Sequence, residues 1–185
     1  LDLAILKFLN LTIANPYFDF FFKYIGDFDL WRWPIGLVLL LILWKGGAKG
    51  RWLVLAAALT IAIVDPSIHY ILKPVFARLR PCKNPDLAGW LRVIDGCGGR
   101  YGFPSNHAAN MMSIAVVATS FYRNGGYYLF PLAAIVAVSR VYLGVHYPLD
   151  IVAGAAYGAG FGLLVAMAIK ALASKRTPDY LHARI

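Results

Sequence analysis

The chain has 185 residues, of which 60% are hydrophobic and 15% charged, and it carries a formal net charge of +9. A soluble domain of this size carries about 25% charged residues, so the composition excludes an ordinary soluble enzyme and predicts one compact membrane-embedded unit over 1–185. The positive balance does not point to nucleic acid, because the basic residues stand mostly at the ends of apolar segments, where they serve as topology signals, lipid contacts or site residues.

Leu1 to Ala14 lacks the basic leader and small-residue cleavage site of a secretory signal, so none is expected. Residues 1–29 are predicted to form an interfacial helical segment. Asn15-Pro16 reads as a helix cap followed by proline at the first helical position. Beyond it, Asp19, Lys23 and Gly26/Asp27 share one helical face, and Phe18, Phe21, Phe22, Ile25 and Phe28 cover the other. Such an aromatic amphipathic helix belongs in the membrane interface, with an Asp19–Lys23 pair adding a little support.

Five candidate spans follow, over 30–45, 51–73, 106–122, 126–143 and 148–173. The first opens on the belt-like Trp31-Arg32-Trp33, and Pro74 is expected to break the second. Only Gly144 to Tyr147 separate the last two, which must therefore be antiparallel neighbours. Gly154, Ala155, Gly158, Gly160 and Gly162 stud the final span and permit close helix contact. The predicted fold is an all-α integral membrane bundle of about five or six transmembrane helices with an N-terminal amphipathic interfacial helix.

With the loop 74–105 facing outward, the inward side holds Lys45, Lys49, Arg51, Arg123, Lys170, Lys175, Arg176 and Arg184. That distribution favours a cytoplasmic tail, although Lys7, Lys23 and Arg32 then lie outside with Arg78, Lys83, Arg92 and Arg100. Cys82 and Cys97 both fall in the outward loop. A disulfide there suits an oxidising compartment and is worth about 3 kcal/mol on a chain-entropy basis. Two unpaired thiols, or a metal pair lacking partners, are the alternatives.

Three stretches carry chemistry: Lys73-x6-Arg80-Pro81, Pro104-Ser105-Asn106-His107 and Ser139-Arg140-x5-His146-x3-Asp150. They contribute three cations, two imidazoles and a carboxylate, all at span ends that the topology puts on one membrane face. Ser105 or Asn106 opens a helix whose free N–H groups favour an anion. Lys73, Arg80 and Arg140 can bond the non-bridging oxygens of a phosphate and the charge that builds on a five-coordinate phosphorus. An Asp150 carboxylate accepting from His146 Nδ1 leaves Nε2 free as nucleophile, and His107 can protonate the leaving alkoxide and later activate water. This scheme needs no metal or cofactor, and no His/Cys/Asp cluster has metal-ligand spacing.

The first two stretches are weak signals alone; the third is strong, and all three in order resemble the signatures of the type 2 phosphatidic acid phosphatase family, membrane relatives of the vanadium haloperoxidases. The resemblance rests on Lys73, Arg80, Pro81, Pro104, Ser105, His107, Ser139, Arg140, His146 and Asp150. Asn106 departs from the pattern, since many members have glycine there. The resemblance implies a helical membrane phosphatase with a phosphohistidine on His146, acid–base help from His107, and phosphate held by Lys73, Arg80, Ser105 and Arg140. Candidate substrates on that basis are phosphatidylglycerophosphate, undecaprenyl pyrophosphate, lipid A 1-phosphate and phosphatidic acid. The expected partners are that lipid and the bilayer, in a bacterial inner membrane with the site on its periplasmic face. A non-catalytic lipid-phosphate transporter or scaffold with the same basic pocket is the alternative, and vanadate-dependent halide oxidation a third.

Other polar residues have plainer readings. Lys45, Lys49, Arg51, Lys170 and Lys175 are snorkelling anchors, and His182 is a solvated tail residue. Asp65, His69 and Lys73 fall on one face at a spacing of four, which predicts either a polar chain orienting Lys73 or an interhelical contact. The Gly-rich stretch from Lys83 to Tyr101 is a candidate lid or substrate rim, with Trp90 dipping into lipid.

Overall fold

A computed structural model describes residues 1–176; the expectations for His182 and Arg184 lie outside the described residues. Within them the chain is helical, with no strand and only an isolated antiparallel bridge between Leu79 and Tyr101. Helix α1 (Asp2–Lys7) runs into a π turn over Phe8–Thr12. Helix α2 (Pro16–Ile25) starts where the sequence predicts: Asn15 is extended and its Oδ1 accepts from the Phe18 N–H at 2.9 Å, with Pro16 behind it. Asp27 caps α3 (Phe28–Lys45) in the same way, accepting from the N–H groups of Asp29 and Leu30.

The faces of α2 settle differently from the expected pair. Asp19 points inward, to Arg92 at 2.6 Å and to the Tyr142 hydroxyl at 2.5 Å, while Lys23 lies over the Tyr24 ring. Tyr17, Phe18, Phe20, Phe21 and Tyr24 stay exposed. A helix that keeps its aromatics outside and its carboxylate inside is matched to an apolar exterior. Helix α3 makes the same point, since an apolar helix with no buried residue is stable only where lipid replaces water.

Helix α4 (Gly47–Pro66) continues through a π turn (Ser67–Leu72) into the short α5 (Lys73–Phe76). The expected break at Pro74 is therefore displaced. Proline sits in the first turn of α5, where its N–H is not needed, and the wider π turn ahead relieves the clash of its ring. The rod ends instead at Ala77, whose φ of +46° puts it in the left-handed region. Three further helices follow: α6 (Asn106–Phe121), α7 (Gly126–Tyr142) and α8 (Pro148–Arg176). The continuous rod Gly47–Phe76 and α8 are both long and apolar enough to cross a membrane by length and composition.

Helix α6 is the centre of the fold and packs most extensively on α8. Gly154, Gly158 and Gly162 lie directly against the backbones of Ser105, Ala109 and Ser113, so the two helices share a four-residue rhythm along a side-chain-free seam. Gly160 is off this seam and faces open space. Leu53, Ala56, Val117, Phe121, Ala166, Ile169 and Ala173 fill the core at one end of the bundle. At the opposite end Leu6, Leu87, Val141 and Tyr147 form a second cluster. Trp90 joins that second cluster, with Lys7 over its ring, rather than dipping into lipid as expected. Burial against the protein satisfies its apolar area there.

Candidate active site

The segment 77–105 is tied across itself, and to the helices through the Ser105 N–H to Asp150 O at 3.0 Å and Arg92 to Asp19 at 2.6 Å, rather than free as a lid. The Arg80 N–H donates to Arg100 O at 3.2 Å, and the Gly102 N–H to Arg78 O at 2.8 Å. A Cys82–Cys97 disulfide, with Cα atoms 6.0 Å apart, closes the loop just beyond Arg80. Buried Asn10 holds its far side: Nδ2 donates to Arg92 O at 2.8 Å and to Tyr142 O at 2.7 Å, while Oδ1 accepts from the Arg92 N–H. Nothing in the sequence pattern singled out Asn10, because its two partner residues are more than 80 residues away.

His146 is placed by the turn between α7 and α8. Gly144 takes φ +76°, and the N–H groups of Val145 and His146 both donate to Arg140 O, so the α7 terminus itself folds the turn back. Residues 143–147 are all buried. The His146 ring lies between two partners: Nδ1 is 3.2 Å from Asp150 Oδ2 and Nε2 is 3.2 Å from Arg80 Nη1. A guanidinium can only donate. Nε2 is therefore the unprotonated acceptor, and Nδ1 carries the proton given to Asp150. Burial first, then the charges of Arg80 and Lys73, outweigh the Asp150 hydrogen bond and lower the His146 pKa to about 4. The imidazole is neutral at physiological pH with its lone pair at Nε2.

Helix α6 presents the second imidazole. Ser105 caps the helix, its Oγ accepting from the Ala108 N–H, and its own N–H donates to Asp150 O at 3.0 Å. That bond, together with the glycine seam, locks the start of α6 to the start of α8. His107 is exposed within the opening and lies in electrostatic range of Arg140, His146, Arg80 and Lys73.

Lys73 is 8% exposed and Arg140 7%, yet neither, nor Arg80, forms a salt bridge with a carboxylate among the described residues. Buried Nε of Arg80 and Nη2 of Arg140 have no hydrogen-bond partner among the described residues. Burial lowers the Arg80 pKa, with Asp150 opposing. Buried cations normally pair, so buried Lys73 and Arg140 and half-buried Arg80, clustered with no carboxylate in salt-bridge contact among the described residues, form a cradle for an anion. Gly26 makes room for one of them: any side chain there would run into the Arg140 guanidinium. The structure thus gathers Lys73, Arg80, Ser105, His107, Arg140, His146 and Asp150 at one end of the bundle.

The expected polar chain to Lys73 is not formed as spaced. The π turn over Ser67–Leu72 rotates the face, so His69 is exposed with its ring against Tyr70. Asp65 instead accepts from Asn106 Nδ2 at 2.8 Å and Asn110 Nδ2 at 2.7 Å, and acts on Lys73 through its charge. Asn106, the departure from the family pattern, is thereby tied to Asp65. Among the described residues no group of three His, Cys or Asp side chains is placed to hold a metal.

A family model described as the PAP2 superfamily matches residues 49–173. The chain is 34% identical over 158 residues to a lipid A 4'-phosphatase of Porphyromonas gingivalis, covering 82% of this chain and 66% of that protein. It is 35% identical over 171 residues to a lipid A 4'-phosphatase of Bacteroides thetaiotaomicron, covering 88% of this chain and 73% of that protein. The chain thus spans about two thirds to three quarters of the length of these relatives. The crystal structure of Aquifex aeolicus LpxE has the same fold, with a TM-score of 0.67, 24% identity, and coverage of 90% of this chain and 94% of that one.

Proposed function

The chain belongs to the PAP2 superfamily, and from that premise we propose that it is a membrane lipid phosphatase acting on a phosphorylated glycolipid of the lipid A kind. The observation that carries this reading is the buried cation cradle around an imidazole whose lone pair faces Arg80. Two relatives named lipid A 4'-phosphatase favour that headgroup over the other candidate lipids.

The reaction follows from the groups present. The phosphate enters the cradle and takes over the Arg80 guanidinium, which frees His146 Nε2. That nitrogen attacks phosphorus in line with the leaving alkoxide, the P–O bond breaks, and His107 passes to the alkoxide the proton that the incoming phosphate monoanion carried in. Asp150 steadies the imidazolium character of the phosphorylated ring through Nδ1–H. Lys73, Arg80, Arg140 and the N–H groups at the start of α6 hold the equatorial oxygens, where each donor is worth about 10²–10³ in rate. Water then attacks phosphorus, His107 takes its proton, and phosphate leaves with His146 restored. The site lies at helix ends, so the lipid chains stay in the bilayer while the headgroup reaches the cradle. The expected setting is the periplasmic face of a bacterial inner membrane.

The test is phosphate release from lipid A phosphates, phosphatidylglycerophosphate, undecaprenyl pyrophosphate and phosphatidic acid in mixed micelles at matched surface concentration. The reading expects turnover fastest on the glycolipid, retention in EDTA, and loss in His146→Ala. A protein inert on all four overturns it in favour of a binding scaffold.

A further inference from the structure

We propose that Arg78, held by Asp2, is a positioning residue that fixes the Asp150 carboxylate against His146. The proposal rests on the phosphotransfer reading of the same site and adds two residues that no sequence motif specifies. Both oxygens of Asp150, which is fully buried, are committed. Oδ2 accepts from His146 Nδ1 at 3.2 Å and from the Tyr147 N–H at 2.9 Å; Oδ1 accepts from Arg78 Nη1 at 2.7 Å. Among the described residues Arg78 is the only cation besides the histidine paired with this carboxylate.

Arg78 is itself clamped. Its other terminal nitrogen pairs with Asp2, and its guanidinium lies 4.2 Å from the centre of the Tyr147 ring. The second oxygen of Asp2 accepts from the Leu149 N–H at 2.8 Å, so α1 grips the same first turn of α8 that carries Asp150. Arg80 and Arg140 keep unpartnered nitrogens for an anion, whereas the Arg78 fork is spent on two carboxylates. Two residues apart, Arg78 serves the carboxylate and Arg80 serves the imidazole and the phosphate.

The arrangement has an electrostatic consequence. The groups facing His146 are Asp150 on α8, Arg80 on the loop, Lys73 on α5 and His107 on α6. Arg78 reaches the ring only through Asp150, and Asp2 only through Arg78. With Arg78 on the far oxygen, part of the carboxylate charge is drawn off the ring, which keeps the nucleophile neutral while its orientation is fixed. Removing Arg78 deletes a positive charge and leaves Asp150 uncompensated. Both changes favour imidazolium.

The experiment follows His146 by ¹³C NMR of histidine-labelled full-length protein in detergent micelles, its resonance assigned by its loss in His146→Ala. In Arg78→Gln the pH at which His146 titrates rises by about one. With kcat followed in parallel, turnover falls roughly 10- to 100-fold while KM stays within about twofold. Arg78→Lys keeps the charge, so the titration returns toward wild type, with only part of kcat regained. Asp2→Asn, which removes the competitor for Arg78, shifts His146 downward instead. Opposite shifts for opposite charges are not expected of residues that merely brace the fold. An unmoved titration in folded Arg78→Gln overturns the proposal, as does a raised KM with kcat intact, which would make Arg78 a substrate ligand. Should Arg78→Gln not fold, Asp2→Asn decides by the same titration. Because the titration needs no turnover, a wild type inert on lipid phosphates would overturn the phosphatase reading and still leave this one measurable.

Discussion

The seam between α6 and α8 is where packing and catalysis meet, and a graded series of glycine substitutions separates them. A Cβ at residue 154 is driven into the Ser105 backbone, at 158 into Ala109 and at 162 to 2.8 Å from Ser113 O; at 160 it meets nothing. Backbone cannot swing away as a side-chain tip does, so each seam alanine must spread the helices. Overpacking of this kind costs about 1–3 kcal/mol. In a chain of this size that lowers the melting temperature by a few degrees for each kcal/mol. All three seam variants therefore lose comparable stability, and Gly160→Ala loses none.

Activity is expected to divide them. Ser105 caps the helix that starts with His107, and its N–H is bonded to Asp150 O. Gly154→Ala thus displaces the two imidazoles relative to each other at the site itself. A misplacement of about 1 Å costs on the order of 10² in rate. Gly162 lies eight residues further along, about 12 Å at helical rise, so Gly162→Ala leaves kcat within about threefold when assayed well below its melting temperature. Gly158→Ala falls between. The assay is phosphate release at saturating lipid phosphate, normalised to folded protein, beside thermal unfolding in the same detergent. Equal kcat losses at 154 and 162 at equal folded fraction, or damage from Gly160→Ala, would refute the seam as the element that aligns the site.

Three further outcomes are expected. On the proposed mechanism His146 attacks only when neutral, and its pKa is lowered to about 4. The kcat/KM profile, corrected for substrate ionisation, should therefore hold from pH 7 down to 5 and fall as pH drops through about 4; an ordinary histidine limb near ~6.5 would contradict the assigned environment. Gly26→Leu pushes the Arg140 guanidinium from its place, which should weaken inhibition by vanadate and lower kcat/KM by about 10²-fold, the worth of one phosphate donor. Asp65→Asn removes the charge acting on Lys73 but keeps an acceptor for Asn106 and Asn110; kcat/KM should drop about 3- to 10-fold, the scale of one hydrogen bond, and an unchanged value would reduce Asp65 to a helix–helix contact.

What the sequence made legible was the chemistry with few substitutes. Only certain side chains can attack, protonate or cradle a phosphate, so Lys73, Arg80, His107, Arg140, His146 and Asp150 stood out by type and spacing, and the structure gathers all six. Helix positions were equally legible, because long apolar runs and the Asn15 and Ser105 caps mark their own boundaries. What stayed hidden was the support. Asn10, Gly26, Arg78 and Asp2 act on partners 72 to 147 residues away, or on no partner of their own in the case of Gly26, and nothing local distinguishes them from any polar or small residue near a helix end. The π turn was also hidden, since a five-residue hydrogen-bond step leaves no pattern in Ser67–Leu72; with it in place His69 is exposed and the helix runs past Pro74. The residues proposed to touch the phosphate are constrained by reactivity, and those that hold them are constrained by geometry. A motif records the first constraint, while only the packed chain expresses the second. For that reason the decisive substitutions here lie at Gly154 and Arg78, at no specified position of any motif, where aligned and misaligned copies of the same proposed catalytic set can be compared.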